Sequence, residues 1–92
     1  MSRRQEEWQR VLDSEVQVWS AKPCEQLLSE LREPQVYEAE LDSKKYQVEV
    51  EILENTLHYL HIVVSVDDGS LPASLLPLTQ SFIRQKSPPA VE

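Results

Sequence analysis

The chain holds one glycine, Gly69, and one cysteine, Cys24. The G-x-G-x-x-G and P-loop motifs both need several glycines, so the sequence contains no phosphate-binding loop of either kind. A lone cysteine excludes an intramolecular disulfide framework and any zinc site built from several cysteines. These two shortages lower the expectation of a nucleotide-dependent enzyme, and we expect no bound cofactor.

Long apolar runs are also missing. No run approaches the ~18 residues that a transmembrane helix needs. The opening residues, MSRRQEE, lack the apolar segment of a secretion signal. The sequence therefore predicts a cytoplasmic protein, and its general look is that of a small bacterial one.

Basic residues are fewer than acidic ones. Nine lysines and arginines stand against 16 aspartates and glutamates, which gives a formal net charge of −7. The summed field of such a chain repels nucleic acids and anionic membranes, and the basic residues are scattered along the sequence instead of forming a stripe. We therefore expect neither a nucleic-acid partner nor a membrane partner.

The length and composition fit one small globular domain. A chain of 92 residues buries roughly 60–65% of its unfolded surface, which supports one core. We predict a single compact domain over residues 1–85. Residues 86–92, which include Pro88 and Pro89, are predicted to form a disordered tail.

A first helix is predicted over residues 3–19. Trp8, Leu12 and Trp19 fall within a narrow arc when residues advance by ~100° each. Glu15 falls in the same arc, and a carboxylate does not suit a buried face. An extended structure for the end of this segment is therefore left open.

A second amphipathic helix is predicted from apolar residues at i, i+3, i+4 and i+7: Cys24, Leu27, Leu28 and Leu31. Ser20 is its predicted N-cap, Pro23 fits its first turn, and Pro34 ends it. Cys24 is interpreted as a small buried apolar residue. A reactive thiolate near Lys22 is the less expected alternative.

Three antiparallel strands are predicted next, over residues 35–41, 46–53 and 57–66. The first two alternate apolar and acidic residues, and this period of two indicates one buried face and one solvent face. The third is apolar on both faces, which is typical of a central strand. Residues 79–85 are predicted as a fourth strand, with a short helix left open because Phe82 and Ile83 are adjacent.

The loops between the strands set the predicted registers. A two-residue turn at residues 43–44 would place Tyr37 opposite Val50 and Glu38 opposite Glu49. The absence of glycine from this turn weakens that prediction. A three-residue loop at residues 54–56 would place Ile62 opposite Val48.

With both registers, three polar side chains form one row on the solvent face: Glu38, Glu49 and His61. Two carboxylates and an imidazole can bind a divalent metal ion. They can also act as a general acid and base, since neighbouring like charges separate their pKa values. The simpler interpretation is a solvated face of ordinary surface charges. The nearby pair His58 and His61 cannot chelate one ion on a strand, because residues three apart point to opposite faces.

The sequence thus predicts an α+β fold with two N-terminal helices packed on one face of a three- to four-stranded antiparallel β-meander. The predicted core consists of Leu12, Trp19, Leu27, Leu28, Leu31, Tyr37, Leu41, Val48, Val50, Ile52, Leu60, Ile62 and Val64.

The sequence does not identify a biochemical function. The best-supported hypothesis is a small acidic module for protein interaction or regulation, with an unidentified protein or a second copy as partner, present as a monomer or weak homodimer. Its candidate interaction patch consists of Val36, Tyr59 and Val63 on the outer sheet face, and an exposed sheet edge is a second candidate. The alternative is a ligand- or metal-binding protein or enzyme that uses the row of Glu38, Glu49 and His61.

Overall fold

The computed structural model describes residues 3–67 and 78–86 of the chain. They form two helices and four strands: α1 (Arg3–Ser20), α2 (Cys24–Glu30), β1 (Gln35–Leu41), β2 (Lys44–Asn55), β3 (Tyr59–Asp67) and β4 (Leu78–Gln85). The strands form one antiparallel sheet in the order β1-β2-β3-β4. Both helices pack on the same face of this sheet, which confirms the predicted α+β fold. The fourth segment is a strand, as expected.

Two predictions concern segments beyond the described residues. The sequence predicts a turn at residues 67–70, which contain Gly69, and an ordered loop or one short helical turn over residues 71–78; both lie mostly within residues 68–77, and the predicted tail lies mostly within residues 87–92. Lys86 is described, and its backbone N–H donates to the carbonyl of His58 at 2.8 Å. This residue therefore extends the pairing of the last two strands.

The two helices follow the predicted apolar patterns, but the start of α2 differs. Ser20 is the last residue of α1 rather than the N-cap of α2. Pro23 occupies the N-cap with φ −68° and ψ 158°, and no side chain caps the helix. Proline fits here because its ring already fixes φ near this value. Its carbonyl accepts a hydrogen bond from Leu27 at 3.0 Å.

The core lies between the helices and the inner face of the sheet. The most buried side chains are Trp8, Val11, Leu12, Trp19, Leu27, Leu31, Tyr46, Val48, Val50, Leu60, Ile62, Val64 and Val66. Nine of the predicted core residues are among them, and the other four are partly buried against them: Leu28, Tyr37, Leu41 and Ile52. The inward faces of β2 and β3 were therefore predicted correctly.

The turn between β1 and β2 differs from the predicted one. Asp42 and Ser43 form the two-residue loop, with φ of 52° and 69°. Positive φ at both positions is the signature of a type I′ turn, whose twist matches that of a hairpin. Tyr37 consequently pairs with Val48, not with Val50. The error is two residues, so each side chain keeps its predicted face.

The register between β2 and β3 also differs, by four residues. Ile52, not Val48, lies opposite Ile62. The strands reverse through residues 56–58, where the hydroxyl of Thr56 accepts hydrogen bonds from the backbone N–H groups of His58 at 3.1 Å and Tyr59 at 3.0 Å.

A β-bulge at Leu53 reconciles this turn with the core. Next to the turn, Glu54 pairs with His61, whereas beyond the bulge Ile52 pairs with Ile62. Without one additional residue, the inward side chains of β2 would lie opposite the outward side chains of β3. Leu53 is that residue, and its side chain is 53% exposed.

We expect Ser43→Gly to raise the free energy of unfolding by about 0.5–1 kcal/mol. Ser43 holds φ at 69°, a region that penalises residues with a Cβ and suits glycine. Part of the gain is offset by the greater entropy of glycine in the unfolded chain. Urea unfolding followed by tryptophan fluorescence measures the change.

The matched control is Ser29→Gly, at an exposed position of α2. There φ is helical, so the same substitution should lower stability by roughly 0.5 kcal/mol. Equal effects of the two substitutions would contradict a specific role for positive φ at Ser43.

Candidate functional site

The three residues of the predicted polar row lie on the predicted face but do not form a row. Glu38 pairs with Gln47, and Glu49 pairs with Ser65. His61 lies near the opposite end of the sheet, next to Glu54. The predicted row required registers that differ from the observed ones by two residues between β1 and β2, and by four or five residues between β2 and β3 on the two sides of the bulge, so its geometry is wrong. Among the described residues, no group of three or more His, Cys, Asp or Glu side chains is arranged to hold a metal ion.

His61 instead belongs to a small cluster beside the bulge. Its Nδ1 lies 4.0 Å from Oε1 of Glu54. The hydroxyl of Tyr59 donates to the same oxygen at 3.1 Å. This hydrogen bond to a carboxylate favours the neutral phenol and raises the pKa of Tyr59 above its ordinary value.

The predicted interaction patch lies on one face, but its members are separated. Val36 is 62% exposed on β1, whereas Tyr59 and Val63 are half-buried on β3. Glu49 lies directly beside Val36, and Glu51 lies directly beside Val63. The patch is therefore a set of apolar side chains with carboxylates between them.

We call the sheet surface turned away from α1 and α2 the outer face. Strand alternation and the burial pattern place six carboxylates on it: Glu38, Glu40, Glu49, Glu51, Glu54 and Asp67. Lys45 is the lysine that shares this face in the described strands. A shallow depression between β1, β2 and β3 is lined on this side by Val36, Glu49 and Asp67. The outer face thus combines strong negative charge with scattered apolar side chains.

The inner face holds a polar chain that the sequence reading did not detect. The indole N–H of Trp19 donates to the hydroxyl of Tyr37 at 2.7 Å. That hydroxyl donates to the carboxylate of Glu15. Burial, and then the hydrogen bond to Glu15, raise the pKa of Tyr37. The acidic residue that did not suit the helix arc is therefore the acceptor at the end of this chain.

Lys22 links the two helices beside this chain. Its ammonium group lies 4.1 Å from the ring centroid of Trp19 and 2.7 Å from Oε1 of Glu30. The hydrogen bond from Lys22, assisted by one from Gln26, lowers the pKa of Glu30. These contacts order the helix junction and hold the ammonium group of Lys22 between Trp19 and Glu30. The nearby Cys24 is partly buried against the core.

None of the helices in the described part of the chain is long and apolar enough to cross a membrane. No protein-family model, curated protein or solved structure matches this chain.

Proposed function

We propose that this protein is a small cytoplasmic protein-interaction module whose outer face binds a basic segment of another protein. The observation that carries the proposal is the composition of that face. Its carboxylates greatly outnumber its lysines, and exposed apolar side chains lie between them. Both helices pack on the opposite side of the sheet.

The negative charge of the outer face favours a basic partner. Clustered carboxylates attract lysine and arginine side chains and accelerate their encounter with the face. Glu38, Glu40 and Glu49 are exposed, so each can pair with a partner cation without an initial desolvation cost. The chain carries a net charge of −7, which adds to this attraction and disfavours acidic partners.

Exposed apolar side chains on the outer face add buried area to this attraction. Val36 is 62% exposed and Ile83 is 52% exposed, and the alternation of β1 and β4 places both on the outer face. Surface pairs of opposite charge contribute little to affinity by themselves. A partner that covers Val36 and Val63 with the aliphatic stems of its lysines or with an adjacent apolar residue gains burial as well. A basic and partly apolar segment therefore fits this face best.

We expect the triple variant Glu38→Gln, Glu49→Gln, Glu51→Gln to bind a fluorescein-labelled lysine-rich peptide roughly tenfold more weakly. Three lost surface pairs at about 0.5 kcal/mol each give this factor. Fluorescence anisotropy at low ionic strength measures it. Binding should also weaken as salt is raised, because the Debye length falls to about 10 Å at 0.1 M.

A matched control separates the face from net charge alone. The variant Asp13→Asn, Glu25→Gln, Glu33→Gln removes the same charge from exposed positions on α1, on α2 and in the segment between α2 and β1. Compared at 0.1 M salt, where the Debye length is about 10 Å, it should retain at least about half of the wild-type affinity, because exposed charges farther away than this are largely screened. An equal loss in both triple variants would overturn the proposal that the outer face is the binding surface.

A further inference from the structure

We propose that the edge of β4 with which no other described strand pairs pairs antiparallel with the same edge of a second copy, which joins two sheets into one of eight strands. The proposal does not depend on the outer face binding a basic partner. It follows from the backbone groups that the two sheet edges present, and from the charges that stand along each edge.

The hydrogen-bonding pattern of β4 identifies the free groups. Lys86 donates its N–H to the carbonyl of His58, and these residues continue the register of β3 and β4. Because antiparallel pairs alternate in hydrogen bonding, the even-numbered residues of β4 face β3. The odd-numbered residues therefore direct their backbone N–H and C=O groups away from the sheet: Thr79, Ser81, Ile83 and Gln85. All four are exposed.

This edge is complementary to itself. A twofold axis through Phe82 places Thr79 opposite Gln85 of the second copy, and Ser81 opposite Ile83. In that register every N–H and C=O of the four residues finds a partner. The half-buried ring of Phe82 meets its own copy, a cross-strand aromatic pair of the stabilising kind.

Charge favours this edge over the other one. Arg84 is the charged residue of β4, and the twofold register places it opposite Gln80 of the second copy, so no like charges meet between the two paired strands. On β1, the pair next to the tight turn, Leu41 and Lys44, fixes the alternation. The residues that face outward there are Val36, Glu38 and Glu40. Antiparallel pairing of two such edges brings carboxylates of the two copies together, which is the usual protection of an edge strand.

The position of α1 leaves room for this pairing. α1 contacts both β3 and β4, and neighbouring strands are ~4.8 Å apart. A helix over these two strands lies ~5 Å from the twofold axis. The two copies of α1 would then be ~10 Å apart, an ordinary packing distance between helices. Gln9 and Asp13 lie on the side of α1 towards β4. The amide nitrogen of Gln9 lies 3.5 Å from the side-chain oxygen of Gln80, and it donates a hydrogen bond to Asp13 at 2.8 Å.

Sedimentation velocity over about 5 μM to 1 mM protein tests the inference, a range suited to a weak dimer. We expect the mass to rise with concentration towards that of a dimer. Ser81→Pro removes an outward N–H and leaves the bonds to β3 intact, because proline is tolerated on a free edge. It should raise the dimer dissociation constant at least about tenfold. Glu38→Pro, the matched change on the β1 edge, should leave that constant unchanged.

A second variant covers the case in which proline disturbs the fold. Ser81→Lys with Ile83→Lys places lysines opposite each other twice across the twofold axis, at positions whose side chains are exposed. It should also weaken the dimer at least about tenfold. The inference is overturned if the wild-type protein stays monomeric at 1 mM, or if the dimer survives both β4 variants unchanged. It is equally overturned if Glu38→Pro is the change that dissociates the dimer.

Discussion

Ile62→Ala is expected to lower the free energy of unfolding by ~2–5 kcal/mol, the range for removing a large aliphatic side chain from a packed core. Ile62 has no exposed surface. It pairs with Ile52 on one side and with Phe82 on the other, at the centre of the sheet. No neighbour can close the cavity without moving a strand, which places the expected loss in the upper part of that range.

The loss expected for Ile62→Ala is a large part of the total stability of so small a domain. Domains of this size have total stabilities of about 5–10 kcal/mol, so the variant should be partly unfolded at 37 °C. Chemical denaturation followed by the fluorescence of Trp8 and Trp19, both buried on the inward side of α1, measures the change. Val36→Ala on the outer face is the control and should change stability by less than ~0.5 kcal/mol. A melt of Ile62→Ala equal to that of the control would contradict the assigned core.

The face of each strand could be predicted from the sequence because it depends only on alternation. Val48, Val50 and Ile62 point inward whether the register shifts by two residues or by four. An error in an even number of residues leaves every side chain on its side of the sheet. The core could therefore be predicted even though both hairpin registers were wrong.

The registers, and with them the candidate site, could not be predicted because they depend on local backbone conformations. Asp42 and Ser43 adopt positive φ without a glycine, so the strongest sequence signal of a type I′ turn is missing. The bulge at Leu53 has no signal at all in the alternation. The predicted polar row depended on both features. It does not form, because Glu49 lies opposite Ser65 and His61 lies opposite Glu54.

The negative charge of the outer face could be predicted in spite of the register errors, for the same reason as the core. Glu38, Glu49 and Glu51 alternate with inward residues, so they share a face in either register. The sequence therefore predicts the sign of the charge on this face, but it does not predict the geometry of a site. A docking surface tolerates that loss of detail, whereas a metal centre or a catalytic pair does not.

Tyr37→Phe should lower the free energy of unfolding by about 1–3 kcal/mol. The hydroxyl of Tyr37 connects Trp19 on one side to Glu15 on the other. Its removal leaves the buried indole N–H and the half-buried carboxylate without this partner, and an unsatisfied buried group costs more than a hydrogen bond gains. Trp19→Phe with Tyr37→Phe, which removes donor and acceptor together, should cost less than the sum of the two single substitutions.

The same phenol gives a dependence on alkaline pH that distinguishes the hydrogen-bonded chain from simple packing. Burial and the hydrogen bond to Glu15 raise the pKa of Tyr37 in the folded protein. Above about pH 10, the ordinary value, the unfolded chain releases this proton while the folded chain retains it, so stability falls as pH rises. Tyr37→Phe should remove this part of the fall. Parallel stability curves for wild type and Tyr37→Phe between pH 9 and 11.5 would show that the Tyr37 hydroxyl is not held as the structure places it.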